Sequence, residues 1–158
     1  MKKIRIIYSH APFWRAEVLR VSLYLANIDF DDVRITREEF REVILTGKLR
    51  NETEIPFHQL PVLEVDGKIV GQTGAIARYC GKLSNLYPKD DFLAAKVDQI
   101  IDSATDITNL ISPTVREKDE IIKKEMRKKL TNKLLPRWFN YLENLLQKEI
   151  NSPWFVDN

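Results

Sequence analysis

The chain has 158 residues, 44% of them apolar and 30% charged, with a net charge of +2 at pH 7. These values fit one or two small soluble globular domains and give no basis for a nucleic-acid partner, which calls for a strongly basic face. A single cysteine, Cys80, excludes an internal disulfide, and with only two histidines no metal cluster is expected. The opening Met1-Lys2-Lys3-Ile4-Arg5-Ile6-Ile7 has too short an apolar run for a signal peptide, and no run of about 18 apolar residues exists to span a membrane. A reducing, cytoplasmic compartment is the expectation.

Ile4, Ile6 and Ile7 form a β-branched run ending at Tyr8, which predicts a strand over 3–8. Residues 9–12 form a turn, and Pro12 suits the start of a helix. Val18, Leu19, Ser22, Leu25 and Ala26 recur at helical spacing, so that helix runs to about residue 27. Asp31, Val33 and Ile35 alternate within a second strand over 30–35. A short helix follows over 37–45, then a polar loop over 47–56. The hairpin signal Asp66-Gly67 joins strands near 61–65 and 68–71. A helix over 73–83 closes this part, with Gln72 and Thr73 at its start. A proline just before a strand, here Pro61, is one of the places where a cis bond occurs. A helix start with a hydroxyl in its first turn is a ready anion site.

The resulting order is strand, helix, strand, helix, strand, strand, helix, an α/β arrangement. Its β-α-β opening implies parallel pairing, and the hairpin adds an antiparallel edge. Residues 84–90, with Asn85 and Pro88, read as a linker. No strand is convincing after it. One helix is predicted over 92–110. A second apolar series runs from 118 to about 150 through Ile122, Met126, Leu130, Leu134, Trp138, Leu142 and Leu145, a single buried stripe. Pro136 should kink or split that helix. The basic block over 123–129 is interleaved with acid and reads as a solvated helix face. The domains expected are therefore 1–83, a linker over 84–90, and an all-helical part over 91–158.

The run Phe57-His58-Gln59-Leu60-Pro61-Val62-Leu63-Glu64-Val65-Asp66-Gly67 resembles the x-Q-[LV]-P-x-L motif of the cytosolic glutathione transferases. Gln72-Thr73-Gly74-Ala75-Ile76 is similar to their [QE]-S-x-A-I motif. Among them the chain looks closest to the sigma-like, tyrosine-type classes. The resemblance implies a thioredoxin-like domain, β-α-β-α-β-β-α, followed by an all-α domain. It covers essentially the whole chain, strongly to about residue 107 and more loosely after it. The ending Trp154-Phe155-Val156-Asp157-Asn158 resembles the family's W-[FL]-[VI]-G-D segment, after which relatives carry a further core helix opened by a T-x-A-D cap. Against that pattern the helical domain is partial, which would expose apolar surface along the Trp138 stripe; the chain is either a naturally shortened form, or a fragment, or one whose gap a partner fills.

The resemblance also assigns roles. Tyr8, at the end of the first strand, takes the place of the catalytic tyrosine that donates to the glutathione sulfur; Ser9 is the alternative, as in serine-type members. Trp14-Arg15-Ala16-Glu17 matches the family's G-R-A-E run, with Arg15 adding positive potential near the sulfur. Pro12-Phe13-Trp14 replaces the usual glycine-containing turn, a departure of about one residue in spacing. Gln72 and Thr73 would bind the γ-glutamyl carboxylate, although a plain N-cap is the bland role for Thr73. Leu60, before Pro61, would pair through its backbone with the cysteinyl part, with Gln59 lining the site. His58 stands where many relatives have glycine, and it and His10 are read as non-catalytic. Phe40 resembles the aromatic bordering the glycyl end, and Lys48 would meet the glycyl carboxylate. Asp102 would reach across a dimer to the γ-glutamyl ammonium. Phe57 matches the aromatic key that one subunit inserts into the other. Cys80 reads as a small core residue, and no cysteine lies near Tyr8 to support cysteine-type chemistry.

The function implied is conjugation of glutathione to a hydrophobic electrophile held between the two domains, in a homodimer. Glutathione is co-substrate, with no cofactor, metal, nucleic acid or membrane partner. The alternatives are a non-catalytic interaction module of crystallin type and a glutathione-dependent, prostaglandin-type isomerase.

Overall fold

The computed structural model describes residues 2–11, 13–148 and 152–156. The chain divides into two compact units, Met1–Tyr87 and Pro88–Asn158. The first is built from β1 (Ile4–Ser9), α1 (Glu17–Leu25), β2 (Asp31–Ile35), α2 (Arg37–Thr46), β3 (Val62–Val65), β4 (Lys68–Gly71) and α3 (Thr73–Leu83). The sheet runs β2-β1-β3-β4, with β1 and β2 parallel and the other two pairs antiparallel. This is the thioredoxin-like order expected from the α/β pattern.

Because β1 is paired on both sides, its Ile4, Ile6 and Ile7 are all buried. Side chains alternate across a strand, so Ile6 and Ile7 serve different layers. Ile7 joins Ile35, Val43, Leu49, Ile55 and Val62 in a cluster on the α2 side, with Phe40 and Leu60 packed at its margin. Ile6 points the other way, with Leu63 in register beside it. There α1 and α3 pack on each other and supply Leu19, Leu23, Ile76 and Cys80, all fully buried.

Turns follow their residues. Asp66 and Gly67 take φ of 50° and 78°, the pair of positive values that a two-residue type I′ hairpin needs. Asp66 Oδ1 accepts the Lys3 amide at 2.8 Å, and the Asp66 amide donates to Lys3 O at 3.0 Å. The hairpin tip is thereby fastened to the start of β1. Gly47 ends α2 in the left-handed region at φ 72°, the common use of glycine at a helix C-terminus.

The α1 helix starts at Glu17, later than a helix opened by Pro12 would. Pro12 lies outside the described residues. Trp14 has φ of 121°, which no helix accommodates, so the chain turns before α1 begins.

The second unit holds α4 (Asp91–Arg116), α5 (Glu120–Lys129) and α6 (Leu135–Leu146). Asp90 caps α4 through the amides of Phe92 and Leu93, and Asp119 caps α5 through those of Ile121 and Ile122. The α4 helix runs six residues past the predicted end at 110 because it absorbs Pro113 in its last turn. The predicted second helix does not divide in two: its backbone stays helical from α5 through Leu130–Leu134 into α6. A π-turn over Leu130–Leu134 joins α5 to α6, closed by the Leu135 amide donating to Leu130 O. Pro136 then sits in the first turn of α6, directly after the π-turn. The predicted stripe is shallower than expected: Leu130 is buried, Ile122 is exposed, and the rest are half-buried. Residues 149–151, at the predicted end of that helix, and Asp157 and Asn158 of the terminal motif lie outside the described residues. Among the described residues no helix is long and apolar enough to cross a membrane.

Candidate active site

Strand register alone assembles one end of the sheet. Ile7, Val62 and Gly71 lie side by side on β1, β3 and β4. One step further toward that end the three chains present Tyr8, Pro61 and Gln72. With strands about 4.8 Å apart, these positions fall within roughly 10 Å of one another. The Leu60–Pro61 peptide is cis. Gln59, Leu60, Pro61, Gln72 and Thr73 thus converge on the Tyr8 end of β1.

Tyr8 is only 7% exposed. Burial pushes its phenol above the ordinary value. The Arg15 main-chain N–H, the Arg15 and Arg20 charges and the Ser9 hydroxyl pull it back without overcoming burial. The phenol therefore keeps its proton at neutral pH, with the Arg15 amide and the Ser9 hydroxyl as partners. Ser9, the alternative catalytic residue, is half-buried and acts here as a partner of the Tyr8 oxygen. The Phe13–Trp14 turn brings Arg15 to this place, with the strained Trp14 backbone at its centre. His10 is exposed, its amide donating to Ile35 O at 3.0 Å.

Arg20 was not singled out from the sequence. It is 9% exposed, its guanidinium carbon 5.8 Å from the Tyr8 ring centroid. Nε donates to Asp32 at 3.0 Å and Nη1 to Glu17 at 3.1 Å, while Nη2 is buried without a hydrogen-bond partner. Asp32 also takes Arg34, whose Nη1 donates to Ala11 O in the loop after β1. The signal available in the sequence was a basic residue at i+3 from Glu17 within an apolar helical stripe.

The other pole is the start of α3. Gln72 sits at φ 71° and ψ 117°, outside the regions open to ordinary residues. Such strain gathers at ligand clamps. Thr73 is the first helical residue rather than the cap, and no side chain caps the start of this helix. The first-turn amides therefore have no partner within the helix and point outward, a setting suited to an anion.

The remaining predicted residues are placed less centrally. Phe40 is half-buried against the α2-side core beside Leu60. Lys48 is exposed and paired with Glu52 at 2.9 Å, which raises its pKa. Phe57, 68% exposed at φ 61°, stands over Gly71. His58 is turned away toward the end of α2, its Nδ1 3.0 Å from Ile44 O. Asp102 is exposed on α4, in the second unit. Cys80 is fully buried and its thiol pushed up to about 11, chiefly by burial. Among the described residues no group of three or more His, Cys, Asp or Glu could hold a metal ion.

The family model for the glutathione S-transferase N-terminal domain matches residues 5–82, and that for the C-terminal domain matches 105–158. A solved structure, prostaglandin synthase D of Nilaparvata lugens, superposes with a TM-score of 0.83 at 32% identity, covering 98% of this chain and 72% of that one. The chain belongs to the glutathione S-transferase family. It is also 36% identical over 135 residues to a glutathione S-transferase of Anopheles gambiae, covering 85% of this chain and 62% of the relative. S-crystallin SL11 of Nototodarus sloanii is 31% identical over 144 residues, 90% of this chain and 66% of that protein. The chain thus spans just under two thirds of these two curated relatives. Tyr8, Arg15, the Gln59–Pro61 segment and Gln72–Thr73 all fall within the transferase N-terminal match, whereas Asp102 lies between the two matched regions.

Proposed function

We propose that this chain binds reduced glutathione on its first unit and conjugates it to a hydrophobic electrophile. The observation that carries the reading is Tyr8: a buried phenol, kept protonated by its surroundings, at the sheet end where an anion-ready helix start and a backbone segment before Pro61 converge. The thiolate is the reactive form of glutathione, and a donated hydrogen bond favours it. Tyr8 supplies that bond, and Arg15 adds positive potential. Ser9 is the alternative donor. Thr73 and the first amides of α3 take the γ-glutamyl carboxylate, with Gln72 beside them. The cysteinyl main chain pairs with Leu60, as an open strand edge does. With an aryl halide, the sulfur–carbon bond forms, the carbon–halogen bond breaks, and halide leaves with its electron pair.

Glutathione is a co-substrate in this reading, which calls for no metal or other cofactor. Phe40 and Lys48 are the candidates for the glycyl end, although Lys48 would first have to leave Glu52. Asp102 would act on the γ-glutamyl ammonium of a partner's site, and Phe57 would anchor a homodimer.

The test is conjugation of glutathione to a generic aryl halide by the 158-residue chain, with Tyr8→Phe alongside. The expected result is turnover that falls by about a hundredfold or more in the variant, the scale of a lost donor to a developing anion, while glutathione affinity stays near wild type. Equal turnover in the variant would remove Tyr8 from the role and pass it to Ser9. The likeness to a prostaglandin synthase favours a second reading, glutathione-assisted isomerisation. Product analysis separates the two, since an isomerase consumes no glutathione. Binding without turnover would instead favour a non-catalytic module, a reading that the S-crystallin relative keeps in play.

A further inference from the structure

The segment leading into Pro61 is fastened to the end of α2 by a side chain. His58 Nδ1 lies 3.0 Å from the Ile44 carbonyl oxygen. A carbonyl only accepts, so the ring donates there as Nδ1–H. Ile44 belongs to the last turn of α2, whose carbonyls have no partner inside the helix. The same ring abuts Gly47 through its Nε2 corner: a Cβ added to that glycine would stand 2.5 Å from Nε2 and 2.9 Å from Cδ2 of His58. The Ile55 amide adds a second tie, donating to Gly47 O at 2.7 Å. Phe57 and His58 reach this arrangement at φ of 61° and 51°, in the region that glycine occupies without steric cost.

A histidine held in a backbone conformation suited to glycine calls for a compensating contact, and the Ile44 carbonyl and the Gly47 surface supply it. On the other side of His58, Gln59 is extended, Leu60 packs at the core margin, and Pro61 is buried ahead of β3. The Gln59–Leu60 segment thus hangs between two fixed points, the His58 contact and β3.

We propose that His58 is a positioning residue: by capping α2 it holds the Gln59–Leu60 segment in the shape against which the glutathione main chain pairs. The ligand in this inference rests on the function proposed above, but the capping contact does not. Two variants test it. His58→Gly relieves the backbone, so a ring without a role predicts binding as good as wild type or better. His58→Asn tolerates the same φ and restores an N–H donor.

The expected result for His58→Gly is faster hydrogen exchange at the Gly47 and Ile55 amides. The KM for glutathione should rise about three- to tenfold, the range of one ordinary hydrogen bond, with kcat little changed. His58→Asn should recover most of both effects. Wild-type exchange and KM in His58→Gly would overturn the proposal, as would His58→Asn behaving like His58→Gly. If the wild-type chain bound no glutathione, the exchange data would still decide: faster exchange in His58→Gly upholds the cap, and unchanged exchange overturns it, while the ligand reading falls separately.

Discussion

A phenol that hydrogen-bonds a thiolate must keep its own proton, and burial of Tyr8 raises the pH at which that proton leaves. The sign follows directly. Below the raised value Tyr8 is neutral and can donate; above it the phenolate would repel the sulfur. The conjugation rate should therefore climb with pH as the glutathione thiol ionises and show no decline assignable to Tyr8 below about pH 10, the ordinary phenol value. A kcat/KM profile checks this, and a falling limb between pH 7 and 9 that disappears in Tyr8→Phe would contradict it. Tyr8 was legible in the sequence because a strand ends on it and a known pattern follows. Arg20 was not, because a basic residue on a short helix ordinarily reaches solvent. Asp32, brought in from β2, and Glu17, one turn back on α1, together make burial of its charge tolerable. The strained φ of Gln72 and Trp14 was equally invisible, since nothing in either residue type announces it.

Elements were read best where local chemistry and tertiary fold agree. Thr36-Arg37-Glu38-Glu39 spells a capping box, and both of its bonds form: the Glu39 amide donates to Thr36 Oγ1 at 3.2 Å, and the Thr36 amide to Glu39 at 2.8 Å. The Thr36 amide holds the Glu39 carboxyl below the usual range. This half of the box is therefore intact at neutral pH and is lost as the pH falls through that lowered value. Thr36→Ala should cost about 1 kcal/mol of stability, read as a lower denaturation midpoint with an unchanged slope; an unshifted midpoint would mean that α2 stands on packing alone. Elements were misread around proline and around strain. Pro113 is absorbed by the last turn of α4, and Pro136 is accommodated by a π-turn placed ahead of it, an adjustment that a pattern of apolar spacings cannot show. The late start of α1 has the same origin, a backbone turn at Trp14 that no propensity predicts.

At the scale of the molecule, the change from α/β to all-helical character was plain from the loss of strand signals after the linker. The depth of the helical core was not, since burial depends on how stripes meet. Among the apolar side chains open on the first unit, Phe57 is held by a left-handed backbone above Gly71. If it anchors a second copy, Phe57→Ser should shift sedimentation toward the monomer at micromolar concentration. A wild-type chain already monomeric there would remove Phe57 from that role.

The single cysteine makes the first unit its own stopwatch. Cys80 is sealed between α3 and α1, near Ser22, with its thiol pushed up to about 11. A thiol reagent at neutral pH thus meets neither access nor thiolate until those two helices part. Its labelling rate should trail that of a free cysteine by orders of magnitude and accelerate with denaturant. The lifetime of the closed sheet-and-helix layer could then be timed at one atom, without any probe being added to the chain.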